Sequence, residues 1–348
     1  MDGAQAGIFQ SLASSPWFEP FCTLQSVACS PAQGTFDAFL SHRRTMKNPP
    51  FTSISLFVFR AIVALPVALL ASGAIQAQDA GSAKPTPPSA STTREASKVY
   101  PLDGVVDKSG SVWIVDRNKP GLWLYESEQL KLDTQGSNKF RQPLNAVRCL
   151  AVSSAGEIAL GDPATREVYR KDSSGQWKGT VNAVIGIPVD LAFLSDGTLL
   201  VADLERRVLW KQSTPGSNPE ILATVNPRGV FVDYADRIWV ISQDENQLVR
   251  VSKDGQVEPI ITKRTFEFPH QVVVNSKDQI WVSDGYRKGI WSWKLGEEPK
   301  LIVSGEPLQN PVGLFLVDDQ PAIVDPHAQA VFKLTEAGVV KWFGIENK

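Results

Sequence analysis

The sequence has almost no net charge of either sign. Its 348 residues include 35 Lys and Arg against 37 Asp and Glu, which gives a formal net charge of −2. A protein whose main partner is a nucleic acid usually carries a basic face, because the phosphate backbone attracts Lys and Arg. The charge balance therefore argues against a nucleic acid partner, and the 43% hydrophobic content is typical of a globular protein.

Histidine and cysteine are also scarce. Only His270, His327 and Cys149 follow residue 46. Two histidines fall short of the three protein ligands that a catalytic zinc usually takes, which argues against zinc catalysis. A single cysteine cannot form a disulfide within its own chain, and Cys149 stands in an apolar run where a small buried residue fits. The G-x-S-x-G motif of many serine hydrolases is absent as well.

A second Met marks a change in the character of the amino-terminal region. Met46 opens a segment with a basic start, an apolar stretch over 61–70 and a candidate cleavage site at Ile75-Gln76-Ala77. This pattern predicts a secretory signal peptide over residues 46–77. The apolar stretch is too short to favour a permanent membrane span. We therefore expect an exported protein, periplasmic or extracellular, with no membrane attachment after cleavage.

The flanks of this signal are expected to lie outside any folded domain. Residues 1–45 show no apolar period, and we expect them to be disordered and to precede the true start of translation. Residues 78–98 are rich in Pro, Ser and Thr, which is typical of a linker. The folded domain is then predicted to cover residues 99–348.

This domain repeats one β-rich unit six times. In the clearest copy, four short apolar runs at 230–232, 238–241, 248–251 and 257–261 are separated by polar turns, which predicts an antiparallel meander. The copies recur about every 41 residues. The second run of each copy ends, in order, at Asp116, Asp162, Asp203, Ser242, Asp284 and Asp325.

Six such copies predict an all-β fold, a six-bladed β-propeller of four-stranded antiparallel blades. A single meander has two uncovered faces, and radial packing of six of them buries both faces of every sheet. Trp113, Trp239 and Trp281 share one position in the repeat and are expected to pack between blades. The recurrent Asp residues are expected to cap turns, because carboxylates accept hydrogen bonds from nearby backbone N–H groups.

Three stretches of the repeat carry a resemblance to known proteins: PRGVFVDYADRIWV, PVDLAFLSDGTLLVAD and PLDGVVDKSGSVWIVD. They resemble NHL-type propeller repeats, and equally the gluconolactonase, senescence-marker and strictosidine-synthase superfamily of six-bladed propellers. The resemblance covers residues 101–344 and implies the fold. It implies less about function, because the shared residues are turn and packing positions.

In a propeller, the starts of the inner strands and the loops after the second strands meet at one end of the central channel. The residues that do not recur between blades are the candidates for function there. They include two acids and two arginines, a balance that suits a small polar or zwitterionic ligand. The predicted ligand-binding residues are Asp103, Arg148, Asp190, Arg228, His270, Tyr286 and His327.

The resemblance also implies a divalent cation, held by acidic and amide side chains at the inner-strand starts. Asp103 and Asp190 match such ligands, whose oxygens suit calcium or magnesium. The fourth and fifth blades depart from the pattern, with Arg228 and His270 near the positions where further ligands are expected. The expected function is therefore a binding module for a small ligand or a protein, acting as a monomer. A metal-dependent lactonase is the alternative.

The signal peptide yields a direct test. Cleavage after Ala77 is expected to leave a mature chain that begins at Gln78, because the branched residue Ile75 and the small residue Ala77 precede the cleavage site. Amino-terminal sequencing of the exported protein measures this. Recovery of any residue that precedes Met46 would contradict both the start site and the cleavage site.

Overall fold

The computed structural model describes residues 98–139, 142–172, 174–181 and 183–345. The described residues form 24 strands and no α-helix, arranged as six four-stranded antiparallel sheets. The predicted propeller fold is therefore confirmed. The segments predicted as over-called start, signal peptide and linker lie outside the described residues, apart from Lys98. No helix among the described residues is long and apolar enough to span a membrane.

Each blade takes its four strands in sequence order. Blade one has β1 (Pro101–Val106), β2 (Val112–Asp116), β3 (Gly121–Glu126) and β4 (Gln129–Gln135). Blade two has β5 (Cys149–Val152), β6 (Ile158–Asp162), β7 (Glu167–Lys171) and β8 (Trp177–Gly179). Blade three has β9 (Pro188–Phe193), β10 (Leu199–Asp203), β11 (Val208–Gln212) and β12 (Glu220–Thr224).

The second half of the ring repeats the arrangement. Blade four has β13 (Pro227–Val232), β14 (Ile238–Ser242), β15 (Leu248–Val251) and β16 (Val257–Ile261). Blade five has β17 (Pro269–Val274), β18 (Gln279–Asp284), β19 (Gly289–Lys294) and β20 (Lys300–Ser304). Blade six has β21 (Gly313–Val317), β22 (Gln320–Asp325), β23 (Ala330–Thr335) and β24 (Gly338–Gly344).

The six inner strands close a ring around the channel. Each inner strand contacts the inner strand of the next blade, and β21 contacts β1. In the described part of the chain no blade borrows a strand from another, so the closure between blades six and one is made by side chains and loop contacts. Gln329 joins the two ends, because its side chain donates to the carbonyl of Val99 (3.0 Å) and its own carbonyl accepts from the N–H of Ile345 (2.9 Å).

The recurrent carboxylates are turn caps, as expected. Asp203 is fully buried, and its oxygens accept the N–H groups of Gly186 (2.6 Å), Ile187 (3.1 Å) and Arg206 (3.0 Å). Asp116, Asp162, Asp284 and Asp325 make equivalent sets of bonds in their own blades. Each carboxylate thus ties the segment before its inner strand to the loop after its second strand.

The shared Trp position faces the contacts between blades. Trp113, Trp239 and Trp281 pair with the equivalent inner-strand residues Val105, Phe231 and Val273. Trp239 and Trp281 are buried, while Trp113 is half-buried. The Trp239 indole also donates a 2.8 Å hydrogen bond to Asp233 in the turn of its own hairpin. Cys149 is buried, as predicted.

The Trp239 site predicts a large loss of stability on truncation. Trp239 is 0% exposed, so Trp239→Ala is expected to reduce the free energy of unfolding by about 3–5 kcal/mol, since it opens a cavity between blades. Denaturant unfolding measures this loss. Trp177→Ala, on the half-buried outer strand of blade two, is the control and should cost clearly less. Equal small losses at both sites would contradict the packing role.

Candidate functional site

Two rings of residues stand at one mouth of the channel. They come from the two residues that follow the opening position of each blade. The first ring contains Leu102, Arg148, Val189, Arg228, His270 and Val312, and the second ring contains Asp103, Cys149, Asp190, Gly229, Gln271 and Gly313. Asp103, Asp190 and Gln271 of the second ring also line the channel further inside, so this ring lies deeper.

The structure brings together five of the seven predicted residues in one small cavity. Asp103, Arg148, Asp190, Arg228 and His270 surround a space of about 20 Å³, which is room for about one water molecule. They come from five different blades, and only ring closure makes them neighbours. That they bind a ligand stays a prediction.

The two acids form the floor of this cavity and are tied to the backbone. Asp103 accepts the N–H groups of Gly104 (2.8 Å) and of Leu150 in the next blade (3.1 Å). Asp190 likewise accepts from Leu191 (2.9 Å) and from Val230 in the next blade (2.5 Å). Each carboxylate therefore links two neighbouring inner strands, a structural role that the sequence analysis missed.

Burial changes the ionisation of these acids. Both side chains are nearly inaccessible to water, and burial raises the pKa of Asp103 well above its ordinary value, with the charge of Asp190 as the next cause. Burial also raises the pKa of Asp190 to about 7, against the opposing effect of its hydrogen bonds to Val230 and Gln271. Like charges in a poorly solvated site disfavour double ionisation, so the pair carries less than two negative charges near neutral pH.

Two guanidinium groups lie above the acids. The Nε atom of Arg148 is buried and has no hydrogen-bond partner, and no other described residue bonds to its side chain. Arg228 donates to Gln243 (2.9 Å) and covers one face of Phe268 at 3.9 Å from the ring centre. Burial, and next the charge of Arg148, lower the pKa of Arg228. The two arginines are thus close enough to repel each other.

His270 completes the cavity as a neutral imidazole. Its Nδ1 atom is buried without a partner, and its Nε2 atom lies beside the backbone of Gly285. A Cβ at Gly285 would stand 2.9 Å from Nε2 and 2.5 Å from the Asn310 Oδ1 atom, so only glycine allows this approach. Burial, followed by the charges of Arg228 and Arg148, lowers the pKa of His270 to about 3.

Tyr286 and His327, the remaining predicted residues, lie at the wider opening above His270. They line a cavity of about 710 Å³ together with Arg148 and His270. Tyr286 is 70% exposed, yet its ring stacks on Phe268 at 4.6 Å and 11°. His327 packs against Tyr100, with 5.9 Å between the ring centres. All seven predicted residues therefore line the same mouth.

Sequence reasoning missed the residues that stand immediately before the blade openings. Phe268 and Asn310 precede Pro269 and Pro311, and both line the mouth. Their position in the repeat was the available signal, because a residue one step before an inner strand lies at the same end of the channel as the first ring.

The residues present do not fit a divalent cation well. The oxygens of Asp103 and Asp190 already accept backbone N–H groups, and the guanidinium groups of Arg148 and Arg228, which repel a cation, line the same cavity. Calcium takes six to eight oxygen ligands. Among the described residues, no group of three or more His, Cys, Asp or Glu side chains is placed to hold a metal ion. The structure therefore supports no chemical step through a metal here.

Nucleophilic chemistry is also poorly supported at Cys149. The thiol is buried in the apolar packing between blades two and three, and this burial raises its pKa well above the ordinary value, with the charges of Asp190 and Asp103 adding to the effect. A thiolate is the reactive form of cysteine, so the buried thiol of Cys149 is better suited to packing than to nucleophilic attack.

The fold and the mouth define a six-bladed β-propeller with a polar channel site. No family model and no curated protein sequence matches the chain. The chain does match solved structures of other proteins in its fold. A catalytically inactive variant of virginiamycin B lyase from Staphylococcus aureus with quinupristin is 15% identical, with a TM-score of 0.56 over 72% of this chain and 85% of that one.

Two further structures widen the range. A gluconolactonase from Xanthomonas campestris is 12% identical, with a TM-score of 0.52 over 70% of this chain and 86% of that one. A chain of a nidogen/laminin complex is 13% identical, with a TM-score of 0.52 over 69% of this chain and 89% of that one. The resemblance drawn from the repeats is confirmed at the level of the fold. At these identities the likeness carries no activity to this chain.

The environment of His270 predicts an unusual titration. Its imidazole is expected to stay neutral at pH 5, with a pKa near 3. The unfolded chain, with an ordinary pKa of about 6.5, then binds more protons than the folded chain between about pH 6.5 and 3, so His270 destabilises the fold as the pH falls through that window. A ¹⁵N NMR titration of the ring nitrogens measures the pKa.

Two variants separate the causes of this shift. Arg228→Gln should raise the pKa of His270 only in part, because burial remains the larger cause. Arg287→Gln is the control, since Arg287 is exposed and paired with Glu267 at 2.8 Å, and it should change nothing. A His270 pKa near 6.5 in the unmodified protein would show that the ring is not buried against cations.

Proposed function

We propose that this propeller is a binding module whose channel mouth takes a small polar ligand with an anionic group. The observation that carries the proposal is the pair Arg148 and Arg228. Both guanidinium groups line the same cavity, and neither forms an ion pair with a carboxylate among the described residues. Cations that form no close ion pair within the protein are stabilised further when an anion binds between them.

The acids beneath the arginines support an anionic ligand over a cationic one. Burial raises the pKa of both Asp103 and Asp190, which reduces the negative charge beneath the two arginines. Arg117 adds a further cation to both larger cavities of the mouth. The sequence suggested that the charges of the two acids and the two arginines balance at the mouth. The raised pKa values of the two acids reduce the negative charge there and therefore favour an anionic ligand.

A carboxylate is the anion that the site fits best. Arginine presents its donors in a planar fork that matches the two oxygens of a carboxylate. The unpartnered Nε atom of Arg148 and Nδ1 atom of His270 are buried, and a water molecule in the small cavity that both residues line can bridge them to a ligand. The larger cavities on either side of Arg148 leave room for the remainder of such a ligand.

The lactonase-type hydrolase has less support. A gluconolactonase shares the fold, and His270 is the one histidine among the described residues that lines the small cavity. However, an imidazole with a pKa of about 3 is a weak general base near neutral pH. Export through the predicted signal peptide and a monomeric state remain part of the proposal, since the folded domain tests neither.

The arginine pair yields a test with a matched control. Arg148→Gln is expected to weaken the binding of a small carboxylate such as succinate by at least about tenfold, because a charged hydrogen bond contributes about 1.5–3 kcal/mol. Calorimetry or NMR titration at low salt measures the change. Arg166→Gln is the control, since Arg166 lies at the same end but is paired with Glu205 at 2.9 Å.

Two outcomes would overturn the proposal. One is equal succinate binding by the unmodified protein and Arg148→Gln. The other is tight calcium binding that is lost in Asp103→Ala and Asp190→Ala, which would make the metal-dependent hydrolase the better description of the site.

A further inference from the structure

One wall of the mouth is apolar and lies beside the arginines. We call it the aliphatic slot. Its cavity measures about 480 Å³, a size typical of small-molecule sites. The slot lies between blades two and three and is lined by Ala146, Pro163, Ala164, Ile187, Val189 and Leu204.

Buried carboxylates hold the slot in place. Asp162 accepts the N–H groups of Ala146 (3.2 Å) and Ala164 (2.9 Å), which lie on its blade-two side. Asp203 accepts from Ile187 (3.1 Å) on the blade-three side. Both acids are fully buried. The walls are therefore fixed before any ligand arrives, which reduces the entropic cost of binding.

The inner end of the slot is cationic. Arg148 and Arg228 line both the slot cavity and the small cavity at the centre of the mouth, and Arg117 lines the slot cavity as well. A molecule with an apolar tail in the slot thus places its other end against the two guanidinium groups. This charge is the complement of a carboxylate.

The opposite wall differs in character. On the side of blades five and six the mouth presents Lys288, Glu306, Gln309 and Asn310 beside the aromatic rings of Tyr100 and Tyr286. Polar and aromatic groups therefore lie on one side of Arg148 and aliphatic groups on the other. A ligand that is polar throughout would leave the slot unused.

We infer that the ligand is an aliphatic carboxylate, with its carboxylate at Arg148 and Arg228 and its hydrocarbon chain in the aliphatic slot. This inference rests on the proposed function, because it uses the same arginine pair, and it adds the class of ligand. Each methylene group that enters the slot is expected to lower Kd by about fourfold, since it leaves water for an apolar surface.

The test compares butanoate, hexanoate and octanoate as probes, with 1-octanol as the uncharged match, by NMR or calorimetric titration. Affinity is expected to rise from butanoate to octanoate, and octanol should bind more weakly than octanoate. Ala164→Trp fills the slot from an exposed loop position. It should abolish the gain with chain length, so that octanoate binds no more tightly than butanoate. Ala146→Phe, from the other side, repeats the test should the first variant fold poorly.

The outcomes separate this inference from the proposed function. Carboxylate binding that depends on Arg148 but not on chain length would overturn the slot and leave the anion site standing. Tighter binding of phenylacetate than of octanoate, lost in Tyr286→Ala, would place the apolar part of the ligand on the aromatic side and also overturn the slot. Failure of every carboxylate to bind would overturn both.

Discussion

The buried carboxylate at the end of each second strand is the interaction on which the mouth of this propeller depends. The chain must turn sharply where it enters and leaves every blade, and those turns leave backbone N–H groups without strand partners. A buried N–H group without an acceptor costs free energy comparable to a lost hydrogen bond. In five blades an Asp side chain supplies the acceptor for two or more such groups. Blade four has Ser242 at this position, with Asp244 beside it.

The recurrent carboxylates have a structural role that is distinct from the role of the residues at the channel mouth. The recurrent acids are occupied by backbone donors, so the residues left to vary between blades are those of the two rings. Asp103 and Asp190 extend the framework one step deeper, where each bridges two neighbouring inner strands. Arg148, Arg228 and His270 have few protein partners by comparison. Groups that the fold does not use are the ones that remain available to a ligand.

The fold could be read from the sequence because the repeat encodes it six times over. The spacing of the repeats, their turn residues and their Trp position agreed from blade to blade. A sequence specifies one structure when its local preferences and its overall pattern agree in this way. The identity of the mouth residues followed from the same register, and the structure gathers all seven of them at one end. Phe268 and Asn310 were missed because they stand one position outside the strands on which the reasoning relied.

The chemistry of the mouth was harder to predict. With Asp103 and Asp190 counted as fully charged, the acids balance the two arginines of the mouth. Their burial, which raises both pKa values, is visible only in the structure. The hydrogen bonds from Leu150 and Val230 were equally hidden, because they cross between blades that lie about 40 residues apart in sequence and depend on ring closure. The low pKa of His270 likewise depends on neighbours from other blades.

The closure at Gln329 has a consequence for how the ring is assembled. Many rings of repeats are fastened by a strand shared between the first and last units. Here each described blade is complete in itself, and the joint is made by packing around Val99, Phe315 and Phe343 and by the contacts of Gln329 with Val99 and Ile345. The joint between blades six and one therefore resembles the other five joints. Such a chain is suited to circular permutation, with the termini moved to another loop between blades and the order of the blades around the channel preserved.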